Sequence, residues 1–265
     1  MYKEKEVELS EIWLKNIFSL KYNMCLIGGW AVYESVTKNY EEDKGRQYIG
    51  SKDIDIGFHI DKNWNLDQLM NSDYLKLFQH LEKNNFTWVG YRFFKGYDYE
   101  TKRELTKEEM SQKPSFDIIE FYIDPIVDKL NPLLKEKLLI NPIDEPLLSL
   151  VFENKLIKKI NLRNHKKINA IIPNPEALLA MKFNSVDDRT KDHKRIKDIT
   201  DIFALIWYSD LELDEIRDKI SALKNIKEME KTISRFKDSE LKQVSNIINY
   251  DLEDMKNIFK TFIKQ

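Results

Sequence analysis

Two aspartates separated by one residue are the feature of this sequence best suited to chemistry. Asp53 and Asp55 alternate with the apolar residues Ile54 and Ile56, which is the period of a β-strand. Alternate residues of a strand point to one face, so the two carboxylates are expected to lie side by side. Carboxylates this close repel each other unless a cation lies between them. Mg²⁺ suits such oxygen ligands and fills its other positions with phosphate oxygens and water. We therefore predict a magnesium-dependent site for phosphate chemistry.

Two glycine-containing segments are candidates for holding the phosphates. Gly50 and Ser51 precede the aspartates and offer backbone N–H groups and a hydroxyl. Gly28 and Gly29 lie between an apolar run and a predicted helix, where the backbone can pass close to a ligand and a helix N-terminus favours anions. A tight turn without a ligand is the alternative interpretation of the Gly28-Gly29 pair.

A third carboxylate is expected on another strand. Asp117 interrupts the start of an apolar strand predicted over Phe116–Ile123, which makes it the candidate. Glu120 points to the opposite face of that strand and is the alternative acid. For Asp117 itself, the alternative is a strand-end acid that caps loop amides.

The elements that must position these residues follow from hydrophobic periodicity and capping signals. The spacing predicts strands at Met24–Ile27, at the Asp-x-Asp segment, at Phe86–Phe94, at Phe116–Ile123 and within Leu147–Ile172. It predicts helices at Leu9–Leu20, Trp30–Val36, Leu66–Asn84, from Asn174 onward and at Asp192–Tyr208. Tyr40–Gln47 and Asp124–Pro146 are expected to be mainly loop. This order predicts an α+β fold, with a mixed-sheet domain over residues 1–172 and a helical C-terminal domain over residues 173–265.

Composition narrows the classes of function. The chain has 265 residues and a formal net charge of −2, so no overall field draws it to nucleic acid or to an anionic membrane. Its single cysteine, Cys25, excludes an intrachain disulfide and lies in an apolar run typical of a buried thiol. No apolar run approaches the ~20 residues needed to span a bilayer, and the charged N-terminus does not resemble a signal peptide. We expect a cytoplasmic protein that makes no membrane contact.

One local segment differs from this neutral balance. Residues 155–167 are rich in lysine and arginine, which suits a polyanion such as RNA. A solvated hairpin is the alternative.

Four features follow one another along the chain. They are Gly28-Gly29-Trp30-Ala31, Gly50-Ser51-Lys52-Asp53-Ile54-Asp55, the strand bearing Asp117, and a helix bearing Lys182. Together they resemble the nucleotidyltransferase superfamily with the DNA polymerase beta type fold. Within it, the chain is similar to the AbiEii-type abortive-infection toxins and to the aminoglycoside and lincosamide nucleotidyltransferases. The segments 175–182 and 197–202 are similar to helical motifs of that group, so the resemblance covers about residues 20 to 208.

The resemblance implies a role for each matching residue. Asp53, Asp55 and Asp117 would bind two Mg²⁺ ions, and Asp198 would support the site or act as a base. The triphosphate of an NTP substrate would be held by Gly28, Gly29, Gly50, Ser51 and Lys182. Arg189 lies one heptad beyond Lys182, so the same helical face would carry both if the helix continues that far. The mixed-sheet domain would then be the nucleotidyltransferase domain. The acceptor would be RNA, a protein or a small molecule, and a toxin would have a cognate antitoxin as its partner.

Plainer alternatives exist for the same residues. Lys182 is also explained as a lysine that extends along an amphipathic helix, and Lys197 with Asp198 as an exposed charge pair. A module that binds nucleotide or a partner without catalysis is the alternative function. The four histidines lack zinc-ligand spacing, and the sequence contains no Walker-type phosphate loop.

Overall fold

A computed structural model describes residues 4–154 and 156–264. Lys155, at the start of the predicted basic segment, lies outside these residues. The strands are β1 (Cys25–Ile27), β2 (Ile54–Phe58), β3 (Thr87–Val89), β4 (Arg92–Asp98), β5 (Ile118–Val127), β6 (Ile143–Asp144), β7 (Ile157–Asn161) and β8 (Asn169–Pro173). The helices are α1 (Glu4–Phe18), α2 (Gly28–Lys44), α3 (Leu66–Met70), α4 (Asp73–Lys83), α5 (Lys107–Gln112), α6 (Pro132–Glu136), α7 (Leu147–Asn154), α8 (Pro175–Val186), α9 (Asp192–Tyr208), α10 (Leu213–Ser221), α11 (Ile226–Ser234), α12 (Asp238–Ile248) and α13 (Leu252–Ile263). The predicted α+β class is confirmed.

Six of these strands form a mixed sheet in the order β1-β2-β5-β4-β3, with β6 also paired to β5. The β2–β5 and β5–β6 pairs are parallel, whereas β1–β2, β4–β5 and β3–β4 are antiparallel. A separate two-stranded sheet is formed by β7 and β8. The long strand β5 therefore lies next to both β2 and β4, so residues of three strands can meet along it.

The main sheet has one covered face and one open face around β4 and β5. On the covered face, Trp13 of α1 donates a hydrogen bond from Nε1 to the hydroxyl of Tyr97 at 2.7 Å. The ring of Phe78 in α4 packs edge-on against Phe93, with centroids 4.7 Å apart. On the other face, Phe94 is half-buried and Glu120 is exposed. Since strand residues alternate between faces, the polar residues of β5 collect on the open face.

Two compact units are present among the described residues. One comprises the chain up to Trp30 together with Gly50–Ile172, and the other comprises Ala31–Ile49 together with the chain from Pro173 onward. The sequence places residues 31–49 in the N-terminal domain, whereas in the structure they group with the C-terminal helices. The division into domains 1–172 and 173–265 stays a prediction.

Helix α2 continues further along the chain than hydrophobic periodicity indicates. The loop predicted over Tyr40–Gln47 is wrong for residues 40–44, because α2 continues to Lys44. The Tyr40 hydroxyl donates a hydrogen bond to the carbonyl oxygen of Ile248 at 2.9 Å. Tertiary packing thus stabilises helical turns that the charged sequence does not favour alone.

Three further element predictions need correction, each for a local reason. The single helix predicted over Leu66–Asn84 is two helices, because Ser72 accepts a hydrogen bond from the amide of Leu75 and begins α4. The strand predicted over Phe86–Phe94 is a hairpin, since Gly90 turns the chain at φ +66°. The segment Leu147–Ile172 begins with helix α7 and becomes strand only at β7.

The C-terminal helices form an apolar core of their own. Phe203 of α9 packs against Phe259 of α13 with ring centroids 5.6 Å apart, and Phe183 of α8 stacks on Phe262 at 6.5 Å. Asn174 precedes α8 with Pro175 at its first position, although the Asn174 side chain makes no capping hydrogen bond. No helix in the described part of the chain is both long and apolar enough to cross a membrane.

Candidate active site

The backbone at Gly28 lies directly against Asp55. Strands β1 and β2 pair Ile27 with Asp55, so the glycines that follow β1 come beside this carboxylate. Gly28 has φ +63°, and a Cβ atom there would lie 1.9 Å from Oδ2 of Asp55. Both the left-handed conformation and the close approach require glycine. The Gly28 backbone therefore lies beside the Asp-x-Asp strand, and contact of Gly28-Gly29 with phosphate stays a prediction.

Asp124 supplies the third carboxylate on this face of the sheet. The parallel register of β2 and β5 pairs Asp55 with Asp124, and paired residues of neighbouring strands project to the same side. Asp124 is 7% exposed. The main sheet thus brings Asp55 and Asp124 together from two strands, with Asp53 two residues before Asp55.

Asp117 does not join this group. It ends a short 3₁₀ helix, Ser115–Asp117, immediately before β5 begins. It precedes Asp124 by seven residues, or about 23 Å of extended strand. Glu120, the alternative acid, is exposed and lies four residues before Asp124. The strand was predicted to end at Ile123, whereas β5 continues to Val127 and includes Asp124. A metal-binding role for Asp117 stays a prediction.

Arg92, at the start of β4, is bound to these acids. Its Nε donates a hydrogen bond to Oδ1 of Asp124 at 2.8 Å, and its Nη2 donates to Oδ2 of the same carboxylate. Nη2 also lies 3.9 Å from Oδ2 of Asp53. The guanidinium carbon is 4.3 Å from the centre of the Tyr122 ring and 5.2 Å from that of Tyr91. Burial opposes its charge, but the hydrogen bonds and charge of Asp124, with the charge of Asp53, raise the pKa of Arg92.

Sequence reasoning missed both Arg92 and Asp124. For Asp124 a signal existed, since an acid that follows the apolar residue Ile123 interrupts the strand as clearly as Asp117 does. For Arg92 no local signal exists, because its contact with Asp124 depends on how β4 and β5 pair.

The predicted phosphate-binding segment Gly50-Ser51 is buried in packing. A Cβ atom on Gly50 would lie 3.1 Å from atoms of both Trp30 and Val7, so a side chain here would require these neighbours to shift slightly. Ser51 is 6% exposed. Contact of this segment with a triphosphate stays a prediction.

The fit of these acids to a metal ion depends on Arg92. Within residues 4–154 and 156–264, no group of three or more His, Cys, Asp or Glu side chains is arranged to hold a metal ion. The donor chemistry of Asp53, Asp55 and Asp124 suits Mg²⁺, which prefers carboxylate oxygens. However, both oxygens of Asp124 accept hydrogen bonds from Arg92. A divalent ion bound to Asp124 would therefore share the carboxylate with a guanidinium whose positive charge repels it.

A second cluster of charged side chains lies in the unit that contains the C-terminal helices. It includes Lys182, Arg189 and Asp198. Nζ of Lys182 is 2.8 Å from Oδ1 of Asp198 and 2.8 Å from Oδ2 of Asp201. Nε of Arg189 donates a hydrogen bond to Oδ2 of Asp198 at 2.5 Å. We use the name buried charge network for Tyr48, Lys182, Arg189, Lys197, Asp198 and Asp201.

Asp201 is the most buried member of the network, and sequence reasoning did not single it out. It also accepts hydrogen bonds from the Tyr48 hydroxyl, at 2.8 Å, and from Nζ of Lys197. Lys197 thus pairs with Asp201, one helical turn later, rather than forming an exposed pair with Asp198.

Burial and charge act in opposite directions on each group of the network. Burial lowers the pKa of Lys182, but the charges of Asp198 and Asp201 outweigh it and raise that pKa. Burial raises the pKa of Asp198, but the charges of Lys182 and Arg189 outweigh it and lower that pKa. For Lys197 burial prevails and its pKa is lowered. Lys182 and Asp198 are therefore both charged at neutral pH.

The lowered pKa of Asp198 predicts a contribution to stability that disappears in acid. The charged carboxylate stabilises the fold fully above the unfolded-state pKa of about 3.9, and this contribution is lost as the pH falls through the lower folded-state value. We expect Asp198→Asn to cost about 3 kcal/mol of unfolding free energy at pH 7. The difference from the unsubstituted protein should narrow below about pH 4. Urea unfolding at pH 7, 4 and 3 measures it, and a constant difference would contradict the prediction.

Comparisons with known proteins add little to this geometry. No family model matches the chain. No curated protein matches it either. Among solved structures, the chain is similar to an antigenic nucleotidyltransferase-like protein from Paracoccidioides brasiliensis, at 14% identity over 95% of each chain and with a TM-score of 0.42.

Proposed function

We propose that this protein is a Mg²⁺-dependent nucleotidyltransferase that moves an NMP from an NTP to an acceptor hydroxyl and releases pyrophosphate. The observation that carries the proposal is the pairing of Asp55 with Asp124 on one sheet face, with Asp53 near Arg92 and the Gly28 backbone against Asp55. Three carboxylates and a helix N-terminus at one place suit a triphosphate with its divalent ions.

The reaction would use these groups as follows. The acceptor oxygen forms a bond to the α-phosphorus, the bond from that phosphorus to the bridging oxygen breaks, and pyrophosphate departs with the electron pair. Asp53, Asp55 and Asp124 would hold Mg²⁺, which neutralises the charge that develops on the phosphates and lowers the pKa of the attacking hydroxyl. The backbone N–H groups of Gly28 and Gly29 would orient the phosphates. A carboxylate of the group would accept the hydroxyl proton.

The remaining predicted contacts belong to the same proposal. Ser51, Gly50, Lys182 and Arg189 stay predicted triphosphate contacts, and Asp198 a predicted support or base. The partners of Lys182 and Asp198 within the buried charge network also give both residues a structural role.

Several acceptors fit this reaction, and an RNA acceptor has one observation in its favour. The hairpin of β7 and β8 exposes Lys158, Lys159, Lys166 and Lys167, which suits a polyanion. Transfer to an essential RNA would make the enzyme a toxin of the AbiEii kind, with a cognate antitoxin. Growth arrest on overexpression, relieved by Asp55→Asn, is expected in that case, and unimpaired growth would favour a small-molecule acceptor.

The test of transfer uses two labels on the same nucleotide. The purified protein is incubated with Mg²⁺, total RNA or cell extract, and each NTP labelled at either the α- or the γ-phosphorus. We expect the α-label to enter the acceptor and the γ-label to leave as pyrophosphate. Transfer of the γ-label would instead indicate a kinase.

A non-catalytic nucleotide-binding module is the second candidate, favoured by the hydrogen bonds that Arg92 makes to both oxygens of Asp124. A site that only binds nucleotide can keep the Arg92 guanidinium among its carboxylates. Calorimetry that detects NTP binding, combined with no transfer of either label to any acceptor, would favour this candidate.

The competition between Arg92 and divalent ions gives a separate prediction. Arg92→Gln removes the positive charge beside Asp124 and Asp53, so we expect Mn²⁺, used as a probe for Mg²⁺, to bind about tenfold more tightly or better. Calorimetric titration with Mn²⁺ measures this without any reaction. The control is Arg103→Gln, which removes an arginine paired with Glu109 at the surface. Equal or weaker Mn²⁺ affinity in Arg92→Gln would show that the guanidinium does not compete.

A further inference from the structure

A cavity of about 350 Å³ lies beside the open face of the main sheet, between the β3–β4 hairpin and helix α5. Thr87, Phe94 and Gly96 line it from the strands, and Met110 lines it from the helix. A Cβ atom on Gly96 would lie 2.1 Å from Sδ of Met110, so the glycine lets α5 pack directly against β4. The volume is within the range of small-molecule sites, about 300–1,000 Å³. The polar insertion between β4 and β5 therefore forms the wall of a pocket.

The cavity begins close to Asp53, Asp55 and Asp124, at a separation that one nucleoside can span. Phe94 pairs with Tyr122 across β4 and β5, and Tyr122 precedes Asp124 by two residues, about 7 Å of strand. All three side chains lie on the same face, and the rings of Phe94 and Tyr122 are 5.3 Å apart. Arg92 in turn lies over Tyr122. An aromatic row thus connects the acid group to the cavity.

The lining suits a flat ligand with polar edges. The Phe94 ring offers an aromatic surface, and the Met110 sulfur is a polarisable partner for a ring. Asn85 and Thr106 add an amide and a hydroxyl that can bond ring nitrogens or exocyclic groups. Three charged side chains also line the cavity: Lys95 and Glu104 pair with each other at 2.7 Å, and Lys107 adds a positive charge.

We propose that this cavity is a nucleobase subsite of the transferase. The proposal rests on the proposed function, because the adjoining acids are what would place a nucleotide here. The base has two possible sources, the incoming NTP and a nucleotide of an RNA acceptor. Both present the same flat ring to Phe94, so the sources are separated by binding experiments with different probes.

The test fills the cavity without altering the acids. Met110→Trp places a large ring in the pocket, and Glu108→Trp is the matched control, since Glu108 is exposed on the same helix and does not line the cavity. Calorimetry measures the binding of ATP, of inorganic tripolyphosphate, which has no base, and of a ten-nucleotide single-stranded RNA, each with Mg²⁺ present.

The outcomes separate the sources of the base. If the base is that of the NTP, Met110→Trp weakens ATP at least about tenfold and leaves tripolyphosphate within about twofold, as expected from loss of base stacking. If it belongs to the acceptor, only the RNA is weakened. Unchanged binding of both ATP and RNA by Met110→Trp would overturn the subsite while leaving the transferase intact. A protein that binds none of the four NTPs and no tripolyphosphate would overturn the transferase and the subsite together.

A second variant covers the case in which Met110→Trp fails to fold. Phe94→Leu removes the aromatic surface but keeps an apolar side chain against Tyr122. We expect the same selective loss of ATP or RNA affinity, with the melting temperature recorded for each variant. Full affinity of Phe94→Leu for both ligands would contradict the proposal independently.

Discussion

Asp55→Asn is expected to reduce nucleotidyl transfer by about 10²–10³-fold or more while the protein stays folded. The amide has nearly the shape of the carboxylate, so Gly28 can still approach it, but the negative charge is gone. Loss of that charge removes a predicted metal ligand at the point where the β1–β2 and β2–β5 pairs meet. The rate of transfer of the α-label measures the effect, and the melting temperature confirms folding.

The same assay decides which residue is the third acid. Asp124→Asn should lose transfer to a similar degree, because Asp124 pairs with Asp55. Asp117→Asn is the matched control, with transfer within about twofold of the unsubstituted protein, because Asp117 precedes β5. If Asp117→Asn lost transfer and Asp124→Asn did not, the β2–β5 register would not describe the active state. Full activity of Asp55→Asn would refute the proposed function.

Lys182→Met is expected to lower the free energy of unfolding by about 3–5 kcal/mol. The substitution removes the ammonium group between two buried carboxylates, and Asp201, 0% exposed, then loses one of its two lysine partners. An uncompensated buried charge costs far more than a surface pair contributes. Urea unfolding at pH 7 measures the loss. Lys242→Met, an exposed lysine on α12, is the control and should stay within about 0.5 kcal/mol.

A double-mutant cycle distinguishes the two roles of Lys182. If the role is structural, Lys182→Met combined with Asp201→Asn should cost less than the sum of the single changes, because the two charges are removed together. If Lys182→Met retained full stability but bound NTP more weakly, the phosphate contact predicted from the sequence would be the main role.

Local sequence was sufficient for the features that depend on near neighbours along the chain. The alternation around Asp53 and Asp55 predicted strand β2, and the Gly28-Gly29 pair indicated a backbone turn that needs glycine, which Gly28 makes with φ +63°. Periodicity likewise predicted α9, with Asp198 on it. These features depend on the 2.0 and 3.6 periods and on steric freedom at glycine, all of which are encoded within a few residues.

Tertiary structure alone decided which residues meet the predicted acids. Asp124 rather than Asp117 lies beside Asp55 because β5 pairs with β2 over Ile123–Val127, and register between distant strands is not encoded in either strand by itself. Arg92 reaches Asp124 through the pairing of β4 with β5, across 32 residues of sequence. The types of the reactive groups were therefore predictable from local sequence, whereas their partners depended on long-range pairing, in which a shift of one residue would turn every side chain to the other face.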